Sequence, residues 1–100
     1  MNSYLAAVPV KFTDGPSKAY LSDLNEALAE YDPRGAEGQL FWSRNDDGTI
    51  MIRVVIEASD EKTARDKARE TVNSALLDTG HTVATVQMLV DSIEVSTWQQ

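Results

Sequence analysis

His81 is the chain's only histidine, so general-base or metal chemistry built on an imidazole has a single place to start. It follows Gly80 in a stretch that reads as the loop between a helix and a strand, where a helix C-terminus mildly favours positive charge. A solvated loop residue accounts for it. Cysteine is absent, which excludes a thiolate metal site, a cysteine nucleophile and a disulfide framework. Asp46 and Asp47 precede a glycine as acidic residues do in some calcium loops, but the ligand spacing of such a loop is missing. Asp60 and Glu61 fit a helix N-terminus, and no Gly-rich phosphate loop, GxSxG or HExxH occurs. Tyr20, Tyr31 and Trp42 are the other groups that could polarise a substrate, and all three fall at core or stripe positions. The expectation is no enzyme: no catalytic residue, no cofactor and no metal.

Two residues suggest contacts instead of catalysis. Arg53 stands between Met51 and Val55 in an apolar run. It either pairs across an interface with Glu57 or Glu94 of the partner subunit, or lies along the surface with its stem over Phe41. Trp98 ends an otherwise polar tail and is expected to pack on a sheet face or a neighbouring subunit.

The element that must position Arg53 is the stretch Leu40 to Glu57. Its two apolar runs are joined by Asn45-Asp46-Asp47-Gly48-Thr49, in which Asn opens a type I turn and Gly takes the left-handed position that closes it with a bulge. Asn45 then faces Thr49, and counting outward pairs Arg44 with Ile50, Trp42 with Ile52 and Leu40 with Val54 on one face. Ser43 with Met51 and Phe41 with Arg53 share the other. Ile50, Ile52, Val54 and Ile56 mark the first face as core, which leaves Phe41, Met51, Arg53 and Val55 on the open one.

The remaining chain supplies four more elements. Tyr4, Ala6, Val8, Val10 and Phe12 alternate as in a strand, although Pro9 requires a bulge or an edge position there. Ser17 or Asp14 caps a helix over Lys18 to Tyr31, whose stripe is Tyr20, Leu21, Leu24, Ala27, Leu28 and Tyr31. Ser59-Asp60 opens a second helix with Ala64, Ala68, Val72, Ala75 and Leu76 inside, and Gly80 sits at its C-terminal cap. From Thr82 to Trp98 the chain is β-prone, but the alternation of Val86, Met88 and Val90 changes phase before Ile93 and Val95. That break predicts a bulge around Asp91-Ser92, or two short strands.

Strand, helix, strand, strand, helix, strand resembles the ferredoxin-like fold, an α+β sandwich with a four-stranded antiparallel sheet and two helices on one face. The resemblance covers nearly the whole chain through element order. In its Ala, Asp and Thr usage the sequence is also similar to small proteins of actinobacteria and their phages. Members of the fold that bind RNA place aromatics on the open sheet face, and the third strand here, TIMIRVVIE, has none. Metal-binding members use paired cysteines, and acylphosphatase-like members an Arg-bearing phosphate loop after the first strand; Lys11 to Ser17 offers neither.

One hundred residues with 42% hydrophobic content make a single domain, residues 1–100. Sixteen acidic against nine basic residues, a formal charge of -7, argue against a phosphate-tracking nucleic-acid surface. No stretch is long and apolar enough to span a bilayer, so a cytoplasmic protein is expected, in the host cytoplasm if phage-encoded. Helices on one face leave Phe41, Met51 and Val55 uncovered, and exposed apolar patches mark contacts. The leading expectation is therefore a protein-interaction module that forms a homodimer through its open sheet face or last strand, or binds another protein such as a host target. Two alternatives are a small-molecule-binding regulatory domain with a ligand near Asp14 to Ser17, and a cofactor-free enzyme resembling the dimeric α/β-barrel monooxygenases.

Overall fold

A computed structural model describes residues 2–13, 15, 17–31, 41–80 and 85–98. The elements are β1 (Asn2–Phe12), α1 (Lys18–Tyr31), β2 (Trp42–Arg44), β3 (Ile50–Ala58), α2 (Glu61–Asp78), β4 (Val86–Met88), a 3₁₀ turn (Val90–Ser92) and β5 (Glu94–Thr97). The strands form one antiparallel sheet in the order β2-β3-β1-β4, with β5 also paired to β1. The described residues thus form an α+β domain with five strands and two helices. The expected fourth strand is split in two.

The hairpin follows from its turn. Gly48 has φ +88°, Asn45 N–H donates to the Thr49 carbonyl at 2.9 Å, and Gly48 N–H to the Asn45 carbonyl at 3.0 Å. Trp42 opposes Ile52, Ser43 opposes Met51 and Arg44 opposes Ile50, the register that the turn chemistry predicts. Leu40, expected opposite Val54, lies outside the described residues.

Ile50, Ile52 and Val54 are fully buried, and they join Ala6, Val8 and Val10 of β1 with Leu21, Leu24 and Leu28 of α1 and the Ala-rich stripe of α2. Each large apolar side chain so buried contributes about 1.5 to 3 kcal/mol. Both helices are capped by side chains on their first turn: Ser17 Oγ accepts from Tyr20 N–H at 3.1 Å, and Asp60 Oδ1 from Thr63 N–H at 2.7 Å. Asp14, the other candidate cap for α1, is not among the described residues.

Pro9 sits in a central strand, where a missing donor should leave an orphan acceptor. The partner strand resolves this. Leu89 N–H donates to the Pro9 carbonyl at 2.9 Å, but the Leu89 carbonyl, which an ordinary residue 9 would satisfy, accepts from Ser92 N–H at 2.9 Å inside the 3₁₀ turn. Val10 opposes Met88 while Ala7 opposes Glu94, so three steps along β1 match six along its neighbour and three residues loop out. An odd excursion exchanges the two faces. Val86 is buried before it and Ile93 after it, which is the phase change seen in the sequence.

Candidate interaction surface

With the even-numbered residues of β1 and β3 turned to the helices, the odd-numbered ones line the opposite face of the sheet. Register places them in rows. Trp98, Ser3 and Glu57 form one row, Ser96, Leu5 and Val55 the next, then Glu94, Ala7 and Arg53, and last Leu89, Pro9 and Met51. Leu5, Ala7 and Met51 are half-buried, Arg53 and Glu94 are exposed, and Pro9 and Val55 are buried. A shallow cavity of about 540 Å³ borders this face, lined by Leu5, Ala7, Met51, Arg53, Glu94 and Ser96 and, from α2, by Arg65. Its chemistry is an apolar centre with the Arg53 guanidinium on one flank and the Glu94 carboxylate on the other, and a second guanidinium, Arg65, in the same lining.

The five interface candidates do not all meet here. Met51 and Arg53 lie on the open face as expected. Val55 belongs to that face by register, but only 2% of its surface is accessible, so it offers little to a partner. Trp98 joins the face through its backbone, its N–H donating to the Ser3 carbonyl at 2.9 Å, with the residue half-buried.

Phe41 is a correction. It is fully buried in the core and not on the open face, because the chain enters β2 only at Trp42 and the Phe41 N–H is drawn to Asn25 Oδ1 of α1 at 2.8 Å. Asn25, half-buried on α1, makes that link. Arg53 consequently cannot lay its stem over the Phe41 ring. Its Nη1 donates to Ser43 Oγ at 2.7 Å, holding the guanidinium on the sheet.

The described groups considered for catalysis are each held by a structural contact. Tyr20 hydroxyl bonds Thr79 Oγ1 at 2.8 Å, and its ring meets Phe12 edge-on at 5.7 Å. Burial raises the Tyr20 pKa against the pull of that hydrogen bond. Tyr31 hydroxyl donates to Asp78 Oδ2 at 2.8 Å, which raises its pKa. Trp42 lies over the core opposite Ile52. Hydrogen bonds from the Thr49 hydroxyl and N–H hold Asp47 below the ordinary carboxylate range, and the Thr63 N–H does the same for Asp60. Turn and cap explain both. Among the described residues, no group of three or more His, Cys, Asp or Glu could hold a metal. His81 and parts of the Asp14 to Ser17 loop fall outside those residues.

Sequence reasoning missed Leu5 and Ala7. Both were legible, since placing Tyr4, Ala6 and Val8 inward turns Leu5 and Ala7 outward. Glu94 was named with Glu57 as a partner for Arg53, but its place in the Ala7 row was not legible, because its face depends on the length of the excursion before it. No described helix is long and apolar enough to cross a membrane. Comparison of the chain with protein-family models, curated proteins and solved structures finds no match.

Proposed function

We propose that the chain is a protein-interaction module of the ferredoxin-like class, without enzymatic activity, that forms a homodimer through the open face of its sheet. The strand order and antiparallel pairing are compatible with that class. The observation that carries the functional reading is the apolar centre of the open face. Leu5, Ala7 and Met51 retain solvent access there, while both described helices bury their stripes against the other side. Apolar surface rimmed by charge is the usual composition of a protein contact, and a two-fold dimer is the simplest closed assembly that covers it.

Light scattering after size exclusion tests this. The parent is expected at twice the chain mass of 11.0 kDa. Met51→Asp, at a half-buried position outside the core, is expected to keep its circular dichroism and fall to the monomer mass. A parent that stays monomeric at its highest soluble concentration sinks the homodimer.

A further inference from the structure

We infer that the second copy docks face to face with its strands running alongside, about a two-fold axis parallel to β1, so that Arg53 of each protomer pairs with Glu94 of the partner subunit. This rests on the homodimer reading above and adds its geometry. Ala7 opposes Arg53 on one side and Glu94 on the other, so the two charges flank one small residue in a single row. With neighbouring strands about 4.8 Å apart, they stand roughly 10 Å from each other across Ala7.

The three ways of stacking or joining two such sheets treat that row differently. A two-fold along β1 exchanges the flanks of the sheet, sets each exposed guanidinium over an exposed carboxylate, and leaves Leu5 and Ala7 meeting their own copies on the axis. It also sets Met51 over Leu89 of the partner subunit, an apolar pair in the adjoining row. A two-fold across the strands through the same point stacks Arg53 on Arg53 and Glu94 on Glu94, which like-charge repulsion disfavours. Edge-to-edge pairing leaves the row unused. Aligned stacking of sheets is also the geometry that twisted antiparallel sheets ordinarily adopt. Ser43, which accepts from Arg53 Nη1 at 2.7 Å, pre-orients the guanidinium for this contact.

The test is charge reversal read by the same mass measurement, with circular dichroism as the check on folding. Arg53→Glu and Glu94→Arg are each expected to run at the monomer mass of 11.0 kDa, and the two together at twice that mass. Because the two single changes move the net charge in opposite directions, a general charge effect cannot produce the same loss in both. Single variants that remain dimeric while Met51→Asp dissociates would overturn the pairing and leave the face intact. Monomers in both singles and in the combined variant would also overturn it, since the two charges would not then answer one another. A monomeric parent would remove the homodimer itself.

Discussion

Phe41 and Arg53 are opposite one another across the hairpin, with Arg53 N–H donating to the Phe41 carbonyl at 2.7 Å, yet one ring is buried and the other side chain is in solvent. The difference lies in what each backbone is tied to: Asn25 pulls the segment before β2 toward α1, so Phe41 leaves the pleat that Trp42 begins. Phe41→Ala should therefore create a core cavity and lower the unfolding free energy by about 3 to 5 kcal/mol, read from the urea midpoint. A Phe on the open face would show only a small change. Asp60 gives a second test at this scale. Its folded pKa is depressed chiefly by the Thr63 N–H, so its contribution is present above the unfolded carboxylate value and lost as pH falls through the folded one. Asp60→Ala should lower the melting temperature at neutral pH, with the gap from the parent closing in acid. A gap that persists below both values would mean that the cap does not act through its charge.

Pro9 and the 3₁₀ turn form one device at the element scale. The proline withholds the donor that the Leu89 carbonyl needs, and Ser92 supplies one only because three residues loop out. Deleting Val90–Ser92 would restore one continuous register, with Leu89 opposite Pro9 and Ile93 opposite Val8, and would keep every later side chain on its present face. It would also orphan the Leu89 carbonyl, at a cost of about 1 to 3 kcal/mol. The deletion alone should be destabilised, and the deletion with Pro9→Ala should recover most of the loss, because the new N–H meets that carbonyl. Equal stability of the two in urea would show that proline and turn are independent. The alternation from Val86 to Val95 disclosed that a break exists. It did not disclose why, since the cause sits eighty residues away in another strand.

For the whole molecule, a folded dimer ties stability to concentration by mass action. The parent's melting temperature should rise as protein concentration is raised over two orders of magnitude, and that of Met51→Asp should stay flat. A flat parent would count against the homodimer. Such a dimer brings together two chains of charge -7 each, so local pairing at the face has to outweigh a general repulsion. In the proposed dimer, opposite charges confined to one row around an apolar centre would serve that end.

Local chemistry determined much of this protein without help from the fold. The Asn45–Thr49 turn set the hairpin register, the three-and-four spacing set both helix stripes except at Tyr31, and Ser17 and Asp60 set the helix starts, because each depends on residues within a turn or two. Tyr31, which the stripe of α1 was expected to bury, lies exposed with its hydroxyl on Asp78. Only the tertiary structure decided the rest. Phe41 went inward through a helix sixteen residues back, and Glu94 reached the Arg53 row through an odd-length excursion opposite Pro9. Val55 proved buried on a face its parity marks as open. Side-chain alternation fixes which residues share a face within one strand. Which face carries a contact surface, and which residues from other strands complete it, follows from long-range pairing that no local pattern encodes.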